Sequence, residues 1–457
     1  MHIAKTSNRT TVRTDTRSLL LSLETTAPAA RARMLMPTQF PTIAIVGSGP
    51  SGCYVTQFLN KKWPKSQITI FEALPVPYGL VRYGVAADHQ GSKAVTQQFE
   101  RLLEKETVEF RGNVAIGRDI SFAKLTESYD VVVLATGLNY DAMLNIPMAS
   151  AAPVLGAGTL LKALNGHPEA NLPVDATGET RRLGKRIAVI GGGNVAIDTL
   201  RMIAKTDDAL AGSDICDGTR TKLGTASVRD ITLISRSSAD EAKCDDSMMA
   251  ELVALPNVKI SVEGLRETDV GTIAQMLREA QAADKGETEA QVSLTFIFNE
   301  VPQSISYVEG FGAELISSSK NTDSESSRIF DSIITAIGFT NGAEPNQIIP
   351  QDSFEGDSIY RVGWLRRGAT GTVAENRKDA KAVTERIIED FENEKIKAVK
   401  PGLASVARDL PINHVTYEGW KRIDHYEQAS ANASRCRKKV SDLLMMLKIA
   451  LRQHDIT

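Results

Sequence analysis

The first regular pattern in the chain is a short β-branched apolar run, Thr42–Val46, closed by Gly47-Ser48-Gly49-Pro50-Ser51-Gly52 and followed by a helical stretch to Lys62. A second apolar run, Gln67–Phe71, ends in Glu72. Such runs, bounded by glycine and polar residues, predict strands. The order then recurs. Arg186–Ile190 predicts a strand, Gly191-Gly192-Gly193-Asn194-Val195-Ala196 a turn, Ile197 to Lys205 a helix, and Asp230–Ser235 a strand ending at Arg236. Two further apolar strands, Tyr129–Leu134 before Ala135-Thr136-Gly137 and Ser332–Ala336 before Ile337-Gly338, end in a small residue and glycine.

Strand, GxGxxG, helix, strand and terminal acid is the complete dinucleotide fingerprint. Gly47 permits the tight turn, Gly49 lets backbone approach a pyrophosphate, and Gly52 allows close packing of helix on strand. The helix N-terminus faces the negative charge, and Glu72 can accept hydrogen bonds from ribose hydroxyls. In the second unit the turn is GxGxxA, and Arg236 stands where the first has its acid. An arginine there suits a 2′-phosphate and favours NADP over NAD. Two fingerprints mean two dinucleotides, one able to be a bound flavin and the other a diffusing nicotinamide.

The expected fold is α/β, with two Rossmann-like dinucleotide-binding domains. The NADP domain, residues 148–335, is inserted into a discontinuous FAD domain formed by residues 37–147 and 336–457. The polar stretches Asp207–Val228 and Ser317–Ser327 read as loops. Residues 1–36 differ in composition: Lys5, Arg9, Arg13, Arg17, Arg31 and Arg33 face only Asp15 and Glu24 among many Ser, Thr and Ala. That is the pattern of an organelle transit peptide, the alternative being a disordered arm.

Of the 457 residues, 42% are hydrophobic and 24% charged, as in a folded globular protein. The formal net charge of -3 argues against nucleic-acid binding. No apolar run reaches the roughly 18–20 residues that span a bilayer, and Leu443 to Leu451 reads as an amphipathic helix. The four cysteines, Cys53, Cys216, Cys244 and Cys436, form no CxxC and no metal-ligand spacing. A redox-active dithiol is therefore missing, and electrons leaving a flavin need another acceptor.

The segments Pro75-Val76-Pro77-Tyr78-Gly79-Leu80-Val81-Arg82-Tyr83-Gly84-Val85-Ala86 with Asp88-His89, and Asn165-Gly166-His167-Pro168, are more specific than the glycine turns. So is Gly363-Trp364-Leu365-Arg366-Arg367-Gly368-Ala369-Thr370-Gly371-Thr372-Val373, with Gly419-Trp420-Lys421-Arg422-Ile423-Asp424 near the end. With them the chain after Pro41 resembles the adrenodoxin reductase family, the mitochondrial-type ferredoxin–NADP reductases.

The resemblance implies FAD contacts at Ser51, Glu72, Leu80, Ile116, Trp364, Gly371, Thr372 and Val373, and an NADP pyrophosphate held by the turn from Gly192 to Val195. Gly371 would also lie near the nicotinamide carboxamide, and His89 matches a histidine of the family's active-site region. It implies electron transfer from NADPH through FAD to a [2Fe–2S] ferredoxin or adrenodoxin, in the mitochondrial matrix, with at most peripheral contact with the inner membrane. Arg366, Arg367, Arg377 and Lys378, or Arg435, Arg437, Lys438 and Lys439, are candidate basic patches for that acidic carrier.

The chain also departs from the family. A second arginine after Arg236 is replaced by Ser237 and Ser238, whose hydroxyls can still bond the NADP phosphate but supply no charge, which weakens the preference for NADPH and opens the site to NADH. Counting without gaps puts Met248 where the family has a helical glutamate, with Glu251 one turn later. Asp240, Glu241, Asp245 and Asp246 make this loop acidic beside an anionic cofactor. A flavin monooxygenase-like enzyme and a degenerate flavoprotein scaffold or sensor remain as rival readings.

Overall fold

The computed structural model describes residues 40–175, 177–283, 291–322, 324–340 and 356–451. The segment read as a transit peptide lies outside them. In chain order the strands begin with β1 (Ile43–Val46), β2 (Ile68–Glu72), β3 (Val108–Gly112), β4 (Val131–Leu134), β5 (Tyr140–Asp141) and β6 (Val154–Gly156). Next come β7 (Arg186–Ile190), β8 (Asp230–Ile234), β9 (Val258–Glu263) and β10 (Val292–Ile297). A meander follows, β11 (Glu300–Val308), β12 (Gly312–Ser319) and β13 (Glu325–Phe330), then β14 (Ser332–Thr335), β15 (Phe339–Thr340) and β16 (Ile359–Arg361).

Two parallel sheets organise the chain, one in the order β16-β4-β1-β2-β3 and the other β6-β14-β7-β8-β10-β9. Both follow from the same side-chain alternation. On β1, Ile43 and Ile45 enter one core while Ala44 and Val46 enter another on the opposite face. On β7, Ile187 and Val189 divide from Ala188 and Ile190 in the same way. A parallel strand covered on both faces has to be apolar throughout, which is why these runs lack polar alternation. A two-stranded antiparallel pair, β15 with β5, lies where the chain leaves and rejoins the first sheet.

Two stretches read as loops are structured. Asp207–Val228 carries the helix Asp217–Leu223 between two 3₁₀ turns. Ser317–Ser327 lies in the β12–β13 hairpin, where the Ser317 and Ser326 hydroxyls donate to the buried Glu300 carboxylate at 2.6 and 2.8 Å. Leu443–Leu451 is helical as expected, and among the described residues no helix is long and apolar enough to cross a membrane.

Candidate functional site

Each parallel sheet presents one glycine turn at the C-terminal end of its β1 or β7 strand, and the two turns are built alike. Gly47 (φ +104°) leads into the helix Pro50–Lys62, and Gly191 (φ +135°) into the helix Asn194–Ala204. A Cβ on Gly47 would run into the Ala135 carbonyl just beyond β4, and one on Gly191 into the Ala336 carbonyl just beyond β14. Both conformations exclude an L side chain as well. Farther along, the space a Cβ would enter at Gly49 or Gly193 is open, with no heavy atom of the described residues within 4 Å. The result is two clear approaches to a helix N-terminus, the shape a pyrophosphate needs.

Around the first turn, Glu72 at the end of β2 accepts from the Ser48 amide at 3.0 Å and the Ser48 hydroxyl at 2.6 Å. Its other oxygen accepts from the Leu74 amide at 3.2 Å. Burial pushes the Glu72 carboxyl above its ordinary value, against those hydrogen bonds. Ser51 is buried, and a Cβ on Gly363 would collide with its hydroxyl, so the Gly363–Val373 segment seats directly on the first turn. Leu80 is half-buried on the helix Gly79–Tyr83, and Ile116 packs with Phe71 and Val114 in the core.

Trp364 packs against Phe339, ring centroids 5.4 Å apart, and its indole nitrogen is buried without a hydrogen-bond partner. The Thr136 hydroxyl, beside Ala135, is orphaned in the same way. Buried polar atoms normally find partners, so these two mark where a polar ligand fits. Gly371 and Thr372 are exposed and lead into the helix Val373–Glu392, whose first amides have no intrahelical acceptor. The open first turn, the orphaned atoms and this helix N-terminus together suit FAD.

At the second turn Arg236 is exposed just past β8, with no acidic partner among the described residues. The Ser237 amide donates to Ser235 Oγ at 3.3 Å. Asn194 does not reach toward a ligand with its side chain: its carboxamide donates to Asp245 at 2.9 Å and accepts from the Asp245 amide at 2.7 Å. Its backbone and that of Val195 remain at the helix start. The acidic loop is less hostile to an anion than its composition suggests, because Asp240 also accepts from two amides, those of Val270 at 3.0 Å and Gly271 at 2.9 Å. This turn, with a free guanidinium at the strand end, suits an NADP.

A charged junction joins the loop after Gly79–Tyr83 to the helices Asn194–Ala204 and Asp246–Val253, and its Asp198 and Arg201 were not anticipated from the sequence. His89 Nε2 lies 3.2 Å from Glu251 Oε2, and His89 Nδ1 lies 3.8 Å from Asp198. Glu251, not Met248, is therefore the residue that the helix Asp246–Val253 turns toward His89, while Met249 faces the core. Arg201 is fully buried and pairs with Asp198 at 2.6 Å, with Glu251 at 2.8 Å and with Asp88, which also binds Lys205. Burial pushes the Asp198 carboxyl up to about 6, while His89 and Arg201 pull it down.

Most members of the two candidate basic patches have acidic partners within the chain. Arg366 and Arg367 pair with the buried Asp379, and Lys378 pairs with Glu375 at 2.8 Å, yet Arg366, Arg377 and Lys378 are all exposed. Arg435 is buried against Asp217 at 2.8 Å, Arg437 binds Asp424 and Glu427, and Lys439 binds Asp214 at 2.8 Å. In the second run Arg435, Arg437 and Lys439 are tied into a structural seam and Lys438 alone is exposed, whereas the first run keeps three exposed cations.

A family model described as pyridine nucleotide-disulphide oxidoreductase matches residues 41–299. Cindoxin reductase of Citrobacter braakii is 38% identical over 438 residues, covering 91% of this chain and 93% of that protein. The mitochondrial NADPH:adrenodoxin oxidoreductase of Drosophila melanogaster is 29% identical over 462 residues, covering 92% and 96%. Among solved structures, Mycobacterium tuberculosis FprA in complex with NADPH superposes with a TM-score of 0.79 at 27% identity, covering 90% of this chain and 100% of that one. With its paired glycine turns and these full-length likenesses, the chain belongs to the pyridine nucleotide-disulphide oxidoreductases, in the family of adrenodoxin and ferredoxin reductases.

Proposed function

We propose that the chain accepts hydride from NADPH onto bound FAD and passes the electrons on, one at a time, to a ferredoxin-type carrier. The observation that carries this reading is the matched pair of turns, Gly47 against Ala135 and Gly191 against Ala336, one for each dinucleotide. FAD, when bound, supplies the chemistry that converts a two-electron donor into a one-electron source. The chain's residues supply position. The helix starts at Pro50 and Asn194 receive the pyrophosphates, Glu72 holds a ribose, and Arg236 receives the 2′-phosphate.

Trp364 and Thr136, with the amides at the start of Val373–Glu392, wall the flavin pocket and offer it hydrogen bonds. Gly371 stands at the exposed entrance to that helix, where a nicotinamide carboxamide could be held by backbone. His89 and Glu251 position the nicotinamide side of the site, with Arg201 fixing the glutamate. No buried acid–base dyad is required for a hydride donor to meet its acceptor.

The acceptor we favour is a [2Fe–2S] protein of ferredoxin or adrenodoxin type. The relatives' names support a small protein carrier. The matrix of the mitochondrion is the proposed compartment, on the basic composition of residues 1–36. We also propose the division into an FAD domain of residues 37–147 and 336–457 and an inserted NADP domain of residues 148–335, in line with the strand membership of the two parallel sheets.

The test uses the purified full chain with NADPH and a [2Fe–2S] ferredoxin under argon. The reading expects two ferredoxins reduced per NADPH consumed. Oxygen uptake matched to NADPH and to a hydroxylated product would favour the monooxygenase reading. Retained FAD that neither NADPH nor NADH bleaches would favour a scaffold or sensor.

A further inference from the structure

The loop after β8 carries a cation that nothing so far has used. It leaves the strand at Ser235, whose hydroxyl would lie 3.1 Å from a Cβ on Gly192, and it returns to the same turn seven residues after Arg236, at Lys243. There the Lys243 amide donates to the Gly192 carbonyl at 3.1 Å, and Lys243 forms a parallel bridge with Gly193. The Asn194–Asp245 clasp, with bonds of 2.9 and 2.7 Å, holds this returning limb. Lys243 is exposed, and among the described residues its ammonium has no acidic partner.

Three of the four acids of this loop are committed elsewhere, and the fourth, Asp246, is exposed at the first turn of the helix Asp246–Val253. Asp240 takes the Val270 and Gly271 amides, Glu241 takes the Ser238 amide at 3.3 Å, and Asp245 takes Asn194. Lys243 pairs with Gly193 through the backbone, and the space a Cβ would enter at Gly193 is open. Arg236 and Lys243 therefore flank one glycine turn from opposite limbs of one loop.

We propose that Lys243 binds a phosphate of the nicotinamide nucleotide, restoring from the far limb the second cation that Ser237 does not supply. The inference rests on the nucleotide reading of the Gly191–Ala196 turn. A lysine suits the task because its ammonium is a compact charge on a flexible stem that needs no fixed bidentate geometry. The phosphate it reaches can be the pyrophosphate over Gly193 or the 2′-phosphate near Arg236, and binding experiments separate the two.

Titration calorimetry of the flavin-loaded full chain with NADP⁺ and with NAD⁺ tests this. Lys243→Ala is expected to weaken NADP⁺ binding about tenfold, with the flavin spectrum and Tm unchanged, and Lys243→Arg to restore it. Equal weakening of NAD⁺ assigns the contact to the pyrophosphate, and weakening of NADP⁺ alone assigns it to the 2′-phosphate. If the wild-type chain binds NADP⁺ and Lys243→Ala binds it as tightly, this inference is wrong while the nucleotide reading stands. If the wild-type chain binds neither nucleotide, the reading of the turn itself fails, and Lys243 loses its role with it.

Discussion

His89 Nε2 stands 3.2 Å from Glu251 Oε2, joining the loop after Gly79–Tyr83 to the helix Asp246–Val253 beside the second glycine turn. Under the proposed function the pair positions the nicotinamide, and half of the Glu251 side chain is open to solvent. Glu251→Ala is expected to slow flavin reduction by NADPH by roughly tenfold, because loss of positioning at a hydride donor is felt in the rate. Stopped-flow absorbance measures it, and the melting temperature should hardly move.

Arg201 has a different task. Its guanidinium is fully buried and pairs with Asp88, Asp198 and Glu251 at once. Arg201→Met would leave Asp88 to Lys205 alone and Asp198 with only His89 nearby, at a cost of about 3 kcal/mol. Urea denaturation of the flavin-loaded chain should show that loss, whereas Glu251→Gln should cost far less because Glu251 is half exposed.

The matched turns predict separable defects. Gly191→Ala pushes a Cβ into the Ala336 carbonyl and forbids a φ of +135°, so NADP⁺ binding should be abolished while the FAD content persists. Gly47→Ala makes the same collision with Ala135 and should yield protein that does not retain FAD. Calorimetry and the visible spectrum distinguish the two outcomes.

Acid should destabilise the fold through His167. Its ring packs on Tyr83 at 4.7 Å, Nδ1 accepts from the Glu169 amide at 3.0 Å, and burial with nearby Lys162 and Arg82 lowers its pKa from 6.5 to about 4. Because the unfolded chain takes up this proton first, the contribution is whole above pH 6.5 and is lost as pH falls toward 4. The size is at most about 3 kcal/mol. Melting temperatures of wild type and His167→Gln between these limits should converge as the pH drops.

What was legible in the chain follows from what leaves a local trace. The strands Ile43–Val46 and Arg186–Ile190 were plain because burial on both faces makes every position apolar, and their turns because only glycine fits against Ala135 and Ala336. The β12–β13 hairpin was hidden, since its serines satisfy a buried Glu300 through contacts that composition does not reveal. Counting residues left open whether Glu251 or Met248 faces His89, whereas the helix Asp246–Val253 sends Met249 inward and Glu251 toward His89 by rotation. The arginines of Gly363–Val373 and of the C-terminal run looked like free charge because their partners, Asp379, Asp217 and Glu427, lie far along the chain or were not matched to them.

Mixing the anaerobic, flavin-loaded chain with NADPH and following the flavin's visible absorbance decides whether hydride passes between the two nucleotide sites. Rapid bleaching by NADPH, much slower with NADH and slowed in Glu251→Ala, is the expected result. A flavin that keeps its full absorbance with excess NADPH, while calorimetry shows the nucleotide bound, would contradict the reductase reading.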